Sequence, residues 1–290
     1  MVSEGEAFCP GHVTAFFEVH DDPNPRAKGS RGAGLTLSLG MRTVARVRDA
    51  PRPSVDVIVN ERRQKAEVTQ RVVEKLADSR SFEIKIVSET HLPVSQGFGV
   101  SAAAALSTAL ALNEALGQGL PRSELVAIAH ETEVECGTGL GDVVPASLGG
   151  MDLRLKPGAA NRGEVRTFPV KADLLLVVLG PEILTKSVLL DASKVAAINR
   201  FGGALVDEFA QSPILERLFD LGNRFAEETG LASRTVLEVI RASRMFGRAT
   251  MTMLGNSLFA TGNTDQLATL YRRFGTLQRC EVDNEGARVL

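Results

Sequence analysis

Phe82, Ile84 and Ile86 alternate with Glu83 and Lys85, the period of a strand buried on one face. Upstream, residues 7–8, 13–19, 34–39, 43–47 and 55–59 are rich in apolar and β-branched side chains. Glycine and proline cluster between them, so the first sixty residues read as short strands joined by turns. The polar stretch from His20 to Gly32 reads as a loop between two of these strands. Residues 68–76 predict a helix. From 99 to 116 nearly every position is a strong helix former. A further helix opens at Leu120-Pro121, where proline suits a first turn, and runs to about Glu135. The loop Cys136-Gly137-Thr138-Gly139-Leu140-Gly141-Asp142 follows, then Gly149-Gly150 and another strand. Residues 156–163 turn polar and glycine-rich, which places a domain boundary there and divides the chain into 1–160 and 161–290. Beyond it, 174–179 predicts a fully buried strand, followed by mostly helical sequence with one further strand at 257–261.

A chain of 290 residues, 44% hydrophobic and 23% charged, can bury a core without disulfides or metals. Its 33 basic and 35 acidic residues give a net charge of −2, and only 5% of residues are aromatic. A nucleic-acid binder would need a basic face or stacking platforms, so that class is disfavoured. Cys9, Cys136 and Cys280 lie far apart with no C-x-x-C pair, which argues against a disulfide framework or a structural zinc site. Unpaired thiols fit a reducing, cytoplasmic setting. The N-terminal residues carry Glu4 and Glu6 and lack an apolar core, so no signal peptide is expected. Residues 100–112, interrupted by Ser101, Ser107 and Thr108, are too short to span a bilayer, and no membrane partner is expected.

The segment Pro93-Val94-Ser95-Gln96-Gly97-Phe98-Gly99-Val100-Ser101-Ala102-Ala103 places two glycines between a strand and an alanine-rich helix. Glycine lets backbone approach a ligand closely. The first helical turn has unpaired N–H groups, and the macrodipole adds positive potential, which together favour a phosphate. Ser101 offers a hydroxyl for a magnesium ion bridging two phosphates. On local pattern alone, a glycine turn before a plain helix is an equal reading. No G-x-x-x-x-G-K-[ST] is present, and no third glycine completes a dinucleotide-binding pattern.

This segment resembles the second motif of the GHMP kinases, P-x-x-x-G-L-G-S-S-A-A, with Phe98 for leucine, Val100 for the first serine and Ser101 retained. Phe8-Cys9-Pro10-Gly11-His12-Val13 resembles the first motif, A-P-G-K-V/I, with His12 in place of lysine. Thr138-Gly139-Leu140-Gly141-Asp142-Val143-Val144-Pro145-Ala146, with Gly149-Gly150, resembles the loop that carries the catalytic aspartate of mevalonate kinases. Met253-Leu254-Gly255-Asn256 faintly matches the third motif. His12, the Gly29-Ser30-Arg31-Gly32-Ala33-Gly34 run and the Thr-Gly-Leu-Gly-Asp loop together resemble the pantoate kinase branch.

The resemblance implies an α+β, two-domain GHMP kinase fold. An N-terminal ATP-binding domain like that of a ribosomal protein would precede a ferredoxin-like C-terminal domain, with the site between them. It implies phosphorylation of pantoate to 4-phosphopantoate with ATP and Mg²⁺ in coenzyme A synthesis. Homoserine, mevalonate or a sugar is the alternative acceptor, and a ligand sensor without turnover the alternative role. Relatives suggest a homodimer. Pro93, Gly97, Phe98, Gly99, Val100, Ser101, Ala102 and Ala103 would bind nucleotide, with Asp142 the base and His12 beside it. Ser30, Arg31 and Gly32 would bind the acceptor, with Arg31 gripping its carboxylate through two parallel bonds. Arg26, Lys28 and Lys186 are the further candidate anion contacts.

Ser101 and a glutamate from the helix before the aspartate loop would hold the metal. Around that helix, at about 100° per residue, Glu133 falls roughly 60° from the apolar face of Leu125, Val126, Ile128 and Ala129. Glu135 falls about 100° away and Glu131 about 140°, so both are expected in solvent and Glu133 is the ligand. His130 is expected to be structural.

Overall fold

Strands β1 (Val2–His20) and β2 (Gly29–Asp49) pair antiparallel along nearly their whole length in the computed structural model, which describes residues 2–77, 81–183 and 185–290. Two register shifts interrupt the pairing, between Pro10 and His12 and between Thr14 and Phe16. Such irregularities bend a strand and re-aim its side chains, and here they bracket His12 and Thr14. The strand resumes at Gly29, so the segment read as a loop from His20 to Gly32 is shorter than expected. Ser30, Arg31 and Gly32 lie on a strand with β1 beside them.

The chain continues through β3 (Ser54–Val59), β4 (Arg62–Arg63), α1 (Glu67–Ala77) and β5 (Phe82–Thr90). Then come α2 (Val100–Leu116), α3 (Arg122–Cys136), α4 (Val143–Leu148), β6 (Met151–Lys156) and β7 (Glu164–Phe168). The short helix α4 lies where the sequence reading had no element. Residues 156–163, read as a boundary, contain the turn between β6 and β7, which pair in the first sheet.

Two sheets result. The first runs β12-β1-β2-β5-β3-β4, with β6 beside the first part of β2 and β7 outside β6; β12 is Arg288–Val289. Helix α2 packs on β1 and β2 with one side and on α1 and α3 with the other. Burial on nearly all sides explains why its sequence is rich in alanine and leucine, with no polar stripe.

The remaining elements are β8 (Asp173–Val178), α5 (Thr185–Leu189), α6 (Ala192–Gln211), α7 (Leu215–Thr229) and α8 (Arg234–Ser243). After them follow β9 (Gly247–Met251), β10 (Ser257–Gly262), α9 (Thr264–Tyr271) and β11 (Thr276–Glu281). They form an antiparallel sheet of order β11-β8-β10-β9, the ferredoxin-like βαββαβ arrangement. The expected single strand after β8 was an underestimate, since β9 and β11 flank the pair formed by β8 and β10. Among the described residues, no helix is long and apolar enough to cross a membrane.

Candidate active site

Residues 91–99 connect β5 to α2 and carry three left-handed positions, Ser95, Gly97 and Gly99, with φ of 57°, 77° and 66°. Gly99 is the N-cap of α2, and a Cβ placed there would stand 2.8 Å from the backbone nitrogen of His12. Only glycine accepts both that φ and that approach. The His12 N–H donates to the Phe98 carbonyl at 3.1 Å, so the first and second motifs are stitched together. Ala103 N–H donates to Gly99 O at 2.9 Å. The N–H groups of Val100, Ser101 and Ala102 are left without an intrahelical acceptor.

These groups open on a cavity of about 390 Å³. Its walls are residues 97–102, the loop 136–142, and Thr14, Phe17 and Ser30 from β1 and β2. Thr185, Lys186, Leu189, Met253 and Leu254 complete it from the second half of the chain. Of the residues expected to bind nucleotide, Gly97 through Ala102 line the cavity. Pro93 and Ala103 do not: Ala103 is fully buried with its N–H spent inside the helix. The Phe98 side chain is in the core, so it faces the cavity through its backbone.

Glu133 lies on the inward face of α3, as helical geometry predicted, and is 3% exposed. Both Ser101 Oγ and Thr138 Oγ1, the latter at 2.6 Å, donate to its Oε1. Burial pushes its carboxyl up to about 7, against the pull of the two hydroxyls, and the negative charge of Asp142 adds to the rise. Among the described residues no basic side chain pairs with it. A buried carboxyl and a hydroxyl on a cavity wall, with no basic side chain of the described residues against the carboxyl, are the oxygen donors that suit a hard divalent ion. Glu131 and Glu135 are not simply solvated. Glu131 pairs with Arg26 and Lys75, and Glu135 with Lys75 and Arg71.

Asp142 is the N-cap residue of α4, but its side chain makes no capping hydrogen bond. Its Oδ1 accepts from His12 Nδ1 at 3.0 Å and Thr14 Oγ1 at 3.2 Å, and the guanidinium of Arg154 stands 3.6 Å away. Burial alone would raise its pKa, but the His12 hydrogen bond and charge, with Arg154, hold it below the ordinary aspartate value. The side chain is 29% exposed, and Asp142 is part of the cavity wall. His12 is fully buried, with Nε2 2.6 Å from Asp152 Oδ1. A Cβ on Gly34 would stand 2.6 Å from its ring, so glycine on the neighbouring strand makes room for the imidazole. Burial lowers the His12 pKa, but Asp152 and Asp142 outweigh it, leaving it above the ordinary histidine value.

The acceptor residues expected from sequence divide. Ser30 lines the cavity against Gly141. Arg31 is absent from the lining, and its guanidinium pairs with Glu18 at 3.1 Å and with Asp207. Gly32 packs against the backbone of Phe16 and the side chain of Arg154. Arg26 is spent on Glu124 and Glu131, and Lys28 on Asp21. The cation behind this end of the cavity is instead Arg154, buried, donating to Gly141 O at 3.0 Å and Thr14 Oγ1 at 3.1 Å. Asp152 and Arg154 were missed. Their signal was two charges at i and i+2 in a strand, directly after Gly149-Gly150, on the face opposite the apolar Met151 and Leu153. His130 Nε2 meets the Lys28 carbonyl at 2.9 Å and ties α3 to the loop after β1. Lys186 lines the cavity and makes no ion pair among the described residues.

The family described as GHMP kinases N terminal domain matches residues 67–150, from α1 through the aspartate loop. The chain is 36% identical over 261 residues to a pantoate kinase of Thermococcus kodakarensis, covering 88% of this chain and 86% of that one. It is 31% identical over 290 residues to a pantoate kinase of Methanospirillum hungatei JF-1, covering 98% and 96%. A solved structure described as a phosphotransferase related to the CoA biosynthesis pathway superposes with a TM-score of 0.91 at 32% identity, covering 100% and 99%.

Proposed function

The chain belongs to the pantoate kinase family of the GHMP kinases, and from that premise we propose that it transfers the γ-phosphoryl group of ATP to the 4-hydroxyl of pantoate. The products are ADP and 4-phosphopantoate, a step of coenzyme A synthesis. One observation carries the reading: an aspartate held ionised, Asp142, shares a cavity wall with the open N-terminus of α2.

In this reading the N–H groups of Val100, Ser101 and Ala102 receive the polyphosphate, with the dipole of α2 behind them. Ser101 and Glu133 would hold Mg²⁺, which would supply neutralisation of the charge on the phosphate oxygens. Lys186, also on the cavity wall, adds a positive charge. The hydroxyl of pantoate lies against Asp142, whose oxygen accepts the proton as the oxygen–phosphorus bond forms. A carboxylate with a low pKa is a weak base, so the transfer comes late, when the attacking oxygen has become acidic. Phe17 and Leu140 give the two methyl groups of pantoate an apolar wall, and Ser30 gives its carboxylate a hydroxyl donor. Arg154 supplies positive potential from beneath.

Three free cysteines suit a reducing compartment, which supports a cytoplasmic enzyme. The test mixes the protein with ATP and Mg²⁺ and offers pantoate, homoserine or mevalonate in parallel. ADP release is expected with pantoate, and none above background with pantoate would end this reading.

A further inference from the structure

Asp152 is fully buried on β6, outside the cavity lining, and the phosphoryl transfer described above does not touch it. We propose that Asp152 is a positioning residue that keeps both ring nitrogens of His12 protonated, so that Asp142 always faces a cation. The proposal rests on the kinase reading for its consequence, but not for its geometry.

Each imidazole nitrogen points at a different carboxylate, Nδ1 at Asp142 and Nε2 at Asp152, both within hydrogen-bond distance. A neutral imidazole carries one N–H. One of the two contacts would then set a nitrogen lone pair against a carboxylate oxygen inside the protein, where the repulsion is poorly screened. Imidazolium satisfies both.

With Asp142 and Asp152 both ionised, the charges close only in that state. The titratable groups facing His12 are Asp142 from the start of α4 and Asp152 from β6, and Arg154 of β6 stands against both of these carboxylates. Strand β2 offers Gly34, and the loop before α2 offers the backbone of Phe98 and Gly99. Two carboxylates against His12 and Arg154 sum to zero, whereas a neutral His12 leaves one net negative charge beside the incoming polyphosphate. Among the described residues Asp152 Oδ2 has no hydrogen-bond partner and only an ion-pair contact at 3.5 Å with Arg154 Nε, so the one side-chain hydrogen bond of this carboxylate goes to the His12 ring. The lysine of the A-P-G-K-V/I pattern needs no such partner, since its ammonium is charged to about pH 10. A histidine does, because its ordinary pKa is about 6.5 and burial lowers it further.

The ring itself provides the test. In protein with ¹⁵N-labelled histidine, His12 is expected to show two protonated nitrogens at pH 8. His12→Gln identifies its signal among the four histidines. Asp152→Asn is expected to show one protonated nitrogen at that pH. Its kcat should fall about tenfold per pH unit above the lowered His12 pKa, a limb absent from wild type between pH 6.5 and 8.5. In a His12→Lys background, Asp152→Asn should add no limb. A purely structural Asp152 would damage both backgrounds alike. Wild-type His12 neutral at pH 8 overturns the proposal without needing any variant, so a poorly folding Asp152→Asn cannot shelter it. A doubly protonated ring with an unchanged profile in Asp152→Asn overturns it as well. If pantoate gave no ADP, the function would fall while the ring measurement stood.

Discussion

Glu133 and Asp142 are two acids on one cavity, and their pKa values move apart because their neighbours differ. Burial raises both, but Asp142 has His12 and Arg154 beside it, while Glu133 has only the hydroxyls of Ser101 and Thr138. Such a separation assigns different tasks to like groups. For Glu133, the folded value of about 7 lies above the unfolded 4.5, so the native state binds more protons between them. Stability is therefore lost as pH rises from about 4.5 through 7, by roughly 3 kcal/mol in total, since one unit is about 1.4 kcal/mol. Glu133→Gln keeps an acceptor for both hydroxyls and removes the charge. In metal-free buffer it should unfold at higher urea than wild type at pH 8 and at nearly the same urea at pH 5. Equal midpoints at both values would show that ionised Glu133 costs the fold nothing. Asp142→Asn tests the other acid. It should lower kcat by about 10²–10⁴, the usual worth of a general base, with little change in the KM for ATP. Activity within threefold of wild type would remove Asp142 from the reaction.

The entrance of α2 depends on backbone shape as much as on side chains. Gly99→Ala forces a Cβ into a left-handed position and toward His12 N, a backbone cost of about 1–2 kcal/mol before the clash. The expected result is a KM for ATP raised at least tenfold with a lowered melting temperature. A normal KM would mean that the phosphates are held elsewhere. This element was legible because a glycine pair before an alanine helix is a local pattern, as was the inward turn of Glu133 along α3. What escaped was non-local. Ser30 to Gly32 look like loop because two glycines flank the stretch, yet β1 and β6 on either side make it strand, and close approach of backbone requires the glycines. Arg31 promised a carboxylate grip, but Asp207, far along the chain, claims it. Asp152 and Arg154 gain meaning only when the fold brings them to His12 and Thr14 respectively, each 140 residues upstream. Strands β9 and β11 are flanking strands with few β-branched residues, so their sequences carry little strand signal.

The cavity joins both halves of the molecule, and so do the bonds around it. Met253 N donates to Thr14 O at 3.0 Å, Ile183 N to Ser95 O at 3.3 Å, and Ser257 Oγ to Gln96 O. On the other side of β1, the Asn199 amide of α6 takes both the N–H and the carbonyl of Val19, at 2.8 and 3.1 Å. A ligand held between these walls stabilises both sheets at once, since it binds only where they meet. The chain carries its own reporter for the second sheet: its sole tyrosine, Tyr271, is fully buried on α9 and bonded to Ser243, and there is no tryptophan. With ATP and Mg²⁺ at a hundred times the dissociation constant, stability should rise by about 2.7 kcal/mol. Tyrosine fluorescence and far-ultraviolet circular dichroism should then move to higher urea together, with one shared midpoint. A circular dichroism transition that shifts while the Tyr271 transition stays in place would mean that nucleotide reaches the first sheet alone, and that Lys186, Met253 and Leu254 contribute nothing to holding it.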